Sequence, residues 1–217
     1  MLIGFAGKAA SGKTTAARYI INTLGDDICV LPMAAMLRRE LDDFFHQVGA
    51  TEKIPLLYGD QQDKLVEFSV VTQQAVSACP AWGDFIRCNG DIQQLETETT
   101  VVTIRRLLQW WGTEYRRRQD PDYWVKAWES AYRQLQSTIR HILVDDVRFP
   151  NEAQVIRRNG GVLVRVERAG FNGANDHSSE NSLDDFDGWD LVLSNDSSLE
   201  AFLKKIDTQV LPLLNHR

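Results

Sequence analysis

The chain has 217 residues, of which 43% are hydrophobic and 25% are charged. These fractions are close to the globular average and exclude a disordered, collagen-like or coiled-coil chain. The 30 acidic residues outnumber the 24 basic ones, and the net charge of −6 argues against general binding of duplex DNA through phosphate neutralisation. We therefore expect no nucleic-acid partner, and phosphate binding must come from local basic clusters.

The cysteines and the apolar segments exclude further classes of protein. Cys29, Cys79 and Cys88 are odd in number and show no CxxC spacing, so neither a disulfide framework nor a zinc site is indicated. The apolar run at the N-terminus is too short for a secretion signal, and no stretch approaches the ~18 apolar residues of a membrane span. We expect a cytoplasmic protein without a membrane partner.

Hydrophobic periodicity predicts a β-α-β-α order at the start of the chain. Residues 2–6 form an apolar run that ends at a glycine, and residues 14–24 repeat alanine, isoleucine and leucine at helical spacing. A second short strand is predicted over 28–31, followed by a helix over about 33–48. This alternation favours an α/β fold with a parallel sheet.

The middle of the chain, about 51–137, is predicted to be mainly helical and to contain no sheet. Its best helical segments are 62–78, 102–118 and 123–135. Residues 79–100 contain proline, glycine and a run of polar residues, which favours an irregular or hairpin insertion.

Strands and helices alternate again in the last third of the chain. The apolar run 139–144 is predicted to be a buried strand that stops at Asp145, and the closing helix is predicted to begin with Ser197 as its cap. Residues 168–187 are rich in Gly, Asn, Asp and Ser, the composition of an exposed loop. We expect a single domain over 1–217. The remaining predicted elements are a helix over 152–158 and strands over 161–166 and 190–193.

A phosphate-binding loop is the clearest motif in the chain. Residues 7–14 read GKAASGKT and match GxxxxGK followed by Ser or Thr, between a predicted strand and a predicted helix. The glycines let backbone N–H groups turn inward, Lys13 can reach the β- and γ-phosphates of ATP, and the Thr14 hydroxyl can ligate Mg²⁺. ATP and Mg²⁺ are therefore the predicted cofactors. The predicted cofactor-binding residues of the loop are Gly7, Ala10, Ser11, Gly12, Lys13, Thr14 and Thr15.

Two acids and an arginine follow the predicted strand 139–144. Ligands of open α/β sheets bind at the carboxyl ends of the strands, so we expect Asp145 or Asp146 to face the phosphate loop and to orient Mg²⁺ or its water. A turn or a helix cap is the alternative role for this pair. Arg148 can grip a phosphate with its guanidinium or form a structural ion pair.

A basic and aromatic segment spans residues 105–118 in an otherwise acidic chain. Its arginines are interleaved with tryptophan, tyrosine and polar side chains, an arrangement that suits recognition of a base and a phosphate. We predict that this segment contacts substrate and that Trp110 is among the contacts. Core packing is the alternative for at least one of Trp110 and Trp111.

Polar residues near the C-terminus are further candidate ligand contacts. The loop 168–187 contains Arg168 and His177 and is predicted to be a lid that closes over the reacting phosphates and excludes water. A solvated loop histidine is the alternative for His177. Asn195 follows the last strand, where P-loop kinases often place groups near the nucleobase of ATP, and a turn-forming role is its alternative.

Four signatures extend over nearly the whole chain. They are GKAASGKT at 7–14, LLQWWGTEYRRRQDPDYW at 107–124, VDDVRFPNEA at 144–153, and HSSENSLD at 177–184 followed by LSNDSSLEAF at 193–202. In this order they resemble the deoxynucleoside monophosphate kinase family typified by T-even-type bacteriophages. The resemblance implies the fold of P-loop nucleoside monophosphate kinases, with a helical substrate-binding region at about 51–137 and a lid at about 168–187. It also implies the host cytoplasm as the location if the chain is of phage origin.

The resemblance implies roles for individual residues in catalysis. Lys13 and Thr14 would hold ATP and Mg²⁺, and Asp146 would be the strand-end acid that serves the metal. Arg148 would face phosphate, and Arg168 would begin the lid. The catalytic residues expected from the likeness are therefore Lys13, Asp146, Arg148 and Arg168.

The same resemblance implies a set of substrate contacts, with one departure. After the second strand the family tends to show an Asp and then a Lys, as in ADPLK, whereas this chain has Arg38 in place of the lysine and no acid in place of the Asp. The implied substrate contacts are Arg38, Gln109, Thr113, Glu114, Arg116, Asp122, Trp124, Arg148, His177 and Glu180.

The predicted reaction moves the γ-phosphoryl group of ATP to the 5′-phosphate of a deoxynucleoside monophosphate. The second pKa of a phosphate monoester is near ~6, so the attacking oxygen is largely anionic at pH 7 and no general base is required. The alternatives are a P-loop kinase with a hydroxyl acceptor, of dephospho-coenzyme A or sugar kinase type, and an ATP-binding module without catalysis. The sequence is compatible with a homodimer and does not specify which nucleotide bases the acceptor carries.

Overall fold

The computed structural model describes residues 1–89, 97–170 and 181–215. The chain divides into two units, the first combining Met1–Met33 with Trp124–Arg217 and the second comprising Ala34–Tyr123. Within the described ranges, no helix is long and apolar enough to span a bilayer. That residues 1–217 act as a single domain stays a prediction.

The first unit is built on a five-stranded parallel sheet. Its strands, in spatial order, are β2 (Ile28–Val30), β5 (His141–Val147), β1 (Leu2–Ala6), β6 (Val162–Glu167) and β7 (Leu191–Ser194). All four neighbouring pairs are parallel, and in the central strand Ile3 lies opposite both Leu143 and Val162. The predicted α/β fold with a parallel sheet flanked by helices is confirmed.

Helices cover both faces of this sheet. Ile3 and Phe5 of β1 belong to the core beneath the first and last helices, whereas Leu2 and Ala6 belong to the core on the opposite face. Successive residues of a strand point to opposite faces, so all five residues of β1 are buried. The helices are α1 (Lys13–Leu24), α7 (Tyr123–Leu135), α8 (Pro150–Arg158), α9 (Leu199–Lys205), a π-helix (Ile206–Val210) and α10 (Leu211–Asn215), with a 3₁₀ turn at Gly25–Asp27.

The second unit contains an antiparallel ribbon that the sequence analysis did not predict. β3 (Glu67–Val71) pairs with β4 (Thr99–Thr103), and Phe68 lies opposite Val102. The expectation of a helix over 62–78 and of no sheet in this region was wrong. Alternate residues of β3 are buried, which is the period of a strand, and its β-branched and aromatic side chains favour that conformation.

The other described elements of the second unit are helices and 3₁₀ turns. Within 79–100, predicted to be irregular or a hairpin, residues 82–88 form a helix, and residues 90–96 lie outside the described part of the chain. The helices are α2 (Ala35–Gln47), α3 (Ile54–Tyr58), α4 (Thr72–Ala78), α5 (Trp82–Cys88), α6 (Ile104–Gln109) and a π-helix (Trp110–Arg117), with 3₁₀ turns at Thr51–Lys53 and Asp63–Leu65.

Two secondary-structure elements of the first unit have boundaries that differ from the predicted ones. β5 continues through Asp145 and Asp146 to Val147, because the buried Val147 extends the strand's pairing with β1. The closing helix begins after Ser198, whose hydroxyl accepts a hydrogen bond from the amide of Ala201 at 3.2 Å. Ser198 therefore caps the helix, in place of Ser197.

Candidate active site

The phosphate-binding loop joins β1 to α1, and its geometry explains both of its glycines. Gly7 has a φ of +139° and Gly12 a φ of +115°, which side chains rarely allow. A Cβ on Gly7 would lie 2.2 Å from the carbonyl oxygen of Val166, and one on Gly12 would lie 2.6 Å from Nδ2 of Asn195. The loop backbone therefore packs so closely on its neighbours that a side chain at either glycine would displace it.

Lys13 and Asn195 brace this loop. The Nζ of Lys13 donates hydrogen bonds to the carbonyl oxygens of Gly7 at 2.6 Å and Lys8 at 2.7 Å, and the residue is only 8% exposed. Asn195 donates from Nδ2 to the carbonyl oxygen of Ser11 at 2.8 Å. An ammonium thus lies within the loop at the N-terminus of α1, where the helix dipole is also positive, and both features favour an anion.

The two acids of β5 have different partners. Thr14, in the first turn of α1, donates a hydrogen bond from Oγ1 to Oδ2 of Asp145 at 3.1 Å. Asp146 accepts a hydrogen bond at Oδ1 from the amide of Met33 at 2.6 Å. The acid that contacts Thr14 is Asp145, whereas the sequence analysis paired Thr14 with Asp146 at the metal site. The pairing of β5 with β1 shifts register between Val144 and Val147, which is where the two acids lie. The metal role of either acid stays a prediction.

A cleft of about 570 Å³ lies beside the phosphate-binding loop. Gly7 and Ser11 of the loop line it, together with Arg148 after β5 and Arg168 after β6. Arg168 also donates from Nη1 to the carbonyl oxygen of Ala10 at 3.3 Å. The fold thus brings together two of the predicted phosphate-facing arginines and the phosphate-binding loop, although the three segments are far apart in sequence.

The far end of the predicted lid also reaches this cleft. Lys8 of the loop forms an ion pair with Asp184 at 2.6 Å and donates a hydrogen bond to Oδ1 of Asn181 at 2.8 Å. His177 and Glu180, predicted to contact substrate from the lid, lie outside the described residues. The role of 168–187 as a lid stays a prediction.

Glu152 is a site residue that the sequence analysis missed. It is 4% exposed, and its Oε2 accepts hydrogen bonds from the amides of Arg148 at 2.7 Å and Phe149 at 3.2 Å. The signal was present in the sequence, because Pro150 and Glu152 occupy the first and third positions of α8, as in a capping box. Glu152 therefore fixes the backbone that carries Arg148.

The predicted substrate contacts at 38–122 all belong to the second unit. Arg116 pairs through Nε with Glu40 at 2.8 Å, and Arg106 pairs through Nη1 with Glu114 at 2.7 Å. Tyr123 also donates to Glu40, and this hydrogen bond raises the pKa of the phenol above its ordinary value. Of the remaining predicted contacts in this unit, Gln109 and Thr113 are half-buried, Asp122 is exposed, and Arg38 is half-buried with an Nε that makes no hydrogen bond to the described residues.

Trp110 and Trp124, predicted to contact substrate, are both buried, as core packing requires. Their role as substrate contacts stays a prediction. Trp110 is 1% exposed, and its ring stacks on Tyr115 at a centroid distance of 5.1 Å with the edges of Trp82 and Phe85 around it. Trp124 is 3% exposed. The ring of Trp110 therefore presents no free face on which a base could stack.

The chain matches a known family of enzymes. A family model described as deoxynucleotide monophosphate kinase matches residues 69–206, which is more than half of the chain. The chain belongs to the deoxynucleotide monophosphate kinase family. The region that this kinase family model matches includes the basic and aromatic segment 105–118, both acids of β5, Arg148 and Asn195.

Three relatives of this kinase family are similar to the chain. A putative deoxynucleotide monophosphate kinase of Acanthamoeba polyphaga mimivirus is 28% identical over 95% of this chain and 94% of its own length. The deoxynucleotide monophosphate kinase of Escherichia phage RB69 is 35% identical over 48% of this chain and 43% of its own. That of Enterobacteria phage T4 is 35% identical over 48% of this chain and 44% of its own.

Gly12→Ala should abolish tight ATP binding while the chain still folds. The new methyl group would meet Asn195 and would hold an unfavourable positive φ, so the loop would move out of its anion-binding shape. Isothermal titration calorimetry with ATP should show at least about a tenfold loss of affinity, about 1.4 kcal/mol.

Gly160→Ala is the matched control for this substitution. Gly160 also has a positive φ, +72°, but a Cβ there would have no atom within 4 Å. Gly160→Ala should lower the melting temperature, because alanine is strained at a positive φ, and leave ATP affinity unchanged. Unaltered ATP binding by a folded Gly12→Ala variant would contradict the assignment of the loop.

Proposed function

We propose that this chain transfers the γ-phosphoryl group of ATP to the 5′-phosphate of a deoxynucleoside monophosphate, giving ADP and a deoxynucleoside diphosphate. The observation that carries the proposal is a single cleft lined by the phosphate-binding loop, Arg148 and Arg168, in a chain of the deoxynucleotide monophosphate kinase family. The relatives' names specify a deoxynucleotide monophosphate as the molecule acted on.

The residues of the loop fit the triphosphate of ATP. The Gly7 and Gly12 positions leave no room for side chains, so the backbone can wrap closely around phosphate oxygens. Lys13 carries its ammonium inside the loop and can exchange the carbonyl oxygens of Gly7 and Lys8 for phosphate oxygens. ATP is therefore the proposed phosphoryl donor.

Thr14 and Asp145 are the proposed protein groups at the magnesium site. A hydroxyl and a carboxylate are ligands that Mg²⁺ prefers, and the two oxygens already lie 3.1 Å apart. Within the described residues no three acidic, histidine or cysteine side chains cluster, which agrees with a metal held largely by phosphate oxygens and water. When bound, Mg²⁺ would neutralise charge on the phosphates.

The chemistry that remains for the protein is alignment and charge compensation. The acceptor phosphate needs no general base, because its second pKa is near ~6 and its oxygen is already anionic at pH 7. Two anions must nevertheless approach each other. We assign the reduction of their repulsion to Lys13, Arg148 and Arg168, and the exclusion of water to the lid at 168–187.

The second unit is the proposed location of acceptor recognition. Arg38 and Arg116 would contact the acceptor nucleotide, and the segment from Gln109 to Glu114 would discriminate among bases. Asp122 at the end of this unit, and His177 and Glu180 in the lid, complete the proposed contacts. The protein would act in the cytoplasm, which is the host cytoplasm if its source is a phage.

Asp145→Asn should raise the Mg²⁺ concentration needed for half-maximal activity and lower kcat by at least about tenfold, or ~1.4 kcal/mol of barrier. The amide removes the negative charge beside Thr14 while it keeps the shape of the side chain. Steady-state rates measured across a magnesium titration report both effects.

Asp146→Asn is the companion variant. The Met33 amide can still donate to the new side-chain oxygen, so the magnesium dependence should stay close to that of the wild type. A larger magnesium shift for Asp146→Asn than for Asp145→Asn would return the metal role to Asp146, and no effect of either would remove both acids from the mechanism.

The acceptor should require its 5′-phosphate. If arginines bind that phosphate, thymidine should be neither bound well nor phosphorylated, whereas one or more of dTMP, dGMP, dCMP and dAMP should be turned over. Comparison of kcat/KM for these five compounds, with ADP release as the signal, checks the expectation. Efficient phosphorylation of thymidine would overturn the monophosphate assignment in favour of a hydroxyl-acceptor kinase.

Arg148→Ala should weaken transition-state binding by roughly 2 to 5 kcal/mol, the range for truncating one member of a buried charge pair. The loss should be similar for every accepted base, because the side chain would contact phosphate only. Arg158→Ala is the control: Arg158 lies on α8, outside the residues that line the cleft, and pairs with Glu129 at 2.8 Å. Its kcat/KM should be that of the wild type.

A further inference from the structure

Glu40 is an acidic residue on an apolar side of α2. It lies three residues after Leu37 and four before Phe44, both of which are buried, so it shares their side of the helix. Its side chain is only 24% exposed. A half-buried carboxylate loses hydration, and such groups persist in folded proteins when hydrogen-bond donors compensate for that loss.

Three donors converge on this carboxylate. Oε2 accepts hydrogen bonds from Trp111 Nε1 at 2.8 Å and from Arg116 Nε at 2.8 Å. Oε1 accepts one from the hydroxyl of Tyr123 at 2.5 Å. Trp111 and Arg116 belong to the π-helix, and Tyr123 is the last residue of the second unit, so one carboxylate links α2, the π-helix and the end of that unit.

Arg116 is held on several sides by this arrangement. Its guanidinium carbon lies 4.7 Å from the ring centroid of Tyr115 and 5.0 Å from that of Tyr123, and both rings attract the cation. Nε is engaged by Glu40, whereas the two terminal nitrogens make no hydrogen bond to the described residues and are not buried. The terminal end therefore keeps four N–H donors for a ligand.

We propose that Glu40 is a positioning residue of the acceptor site, which fixes Arg116 so that its terminal nitrogens receive an anionic group of the deoxynucleoside monophosphate. This inference rests on the proposed function. A pre-oriented arginine gives up little side-chain entropy on binding, and a bidentate contact demands a fixed guanidinium plane. Glu40 acts through Arg116 and does not itself touch the nucleotide.

Glu40→Gln tests this role, because glutamine keeps the size of the side chain and removes its charge. One of its two oxygen acceptors becomes an NH₂ donor, so the three donors can no longer all be satisfied. We expect KM for the preferred deoxynucleoside monophosphate to rise at least about tenfold, with KM for ATP within about twofold of the wild type. Calorimetric titration of the same nucleotide should show the matching loss of affinity.

A double-mutant cycle separates this role from a general effect on folding. In an Arg116→Ala background, Glu40→Gln should change KM for the nucleotide by less than about twofold, because the group through which it acts is absent. An equal effect with and without Arg116, or equal increases in both KM values, would overturn the proposal. If Glu40→Gln does not fold, Glu40→Asp, which keeps the charge but shortens the reach, must show the same selective rise in KM.

Glu129→Gln in the first unit is the matched control. Glu129 is also a partly buried helical carboxylate, with 16% of its side chain exposed, and it accepts hydrogen bonds from Arg158 and Asn159. Neither KM should change. Wild-type protein that phosphorylates no deoxynucleoside monophosphate would disprove the proposed function, whereas active wild type with an unaltered Glu40→Gln variant would disprove this inference alone.

Discussion

The short loop after β1 is the constraint on which the rest of the first unit depends. The chain must leave a strand buried on both faces and begin a helix within six residues, while its amides turn toward a common centre. Gly7 and Gly12 allow this turn because they have no side chain. The carbonyl oxygen of Val166 occupies the space beside Gly7, and the side chain of Asn195 occupies the space beside Gly12. The central place of β1, between β5 and β6, in turn brings the residues after those strands to the edges of the loop.

Charge in the cleft is compensated by nearby acids. Lys8 pairs with Asp184, and Arg165 pairs with Glu167 at 2.9 Å. A chain with a net charge of −6 can therefore present a cationic site without a large positive surface field. A bound phosphate would compete with these carboxylates for the same cations, so the segment that carries Asp184 is coupled electrostatically to the occupancy of the loop.

Local patterns predicted the parallel sheet, the glycine-containing loop between β1 and α1, and helix α7, because strand and helix periods in the first unit are regular and the loop motif has a fixed spacing. Phosphate binding by that loop stays a prediction. They failed where partners distant in sequence decide the structure. β3 is stabilised by β4, some thirty residues later in the chain, and no local period reveals that pairing. From the sequence alone, Glu40 has the pattern of a solvated charge on an amphipathic helix, because its partners Trp111, Arg116 and Tyr123 are distant along the chain. Trp110 likewise has the pattern of a stacking surface, although in the structure Tyr115 covers its ring.

The π-helix at Trp110–Arg117 links the length of this segment to its helical geometry. Trp111 and Arg116 are five residues apart, a separation that an α-helix would spread by about 140° around its axis. The wider i→i+5 repeat brings both side chains to one carboxylate oxygen of Glu40. Conversion of this segment to an α-helix at unchanged length would therefore separate the two donors. A one-residue deletion between them that restored α-helical geometry would leave them four residues apart, about 40° around the axis, so both could still face Glu40.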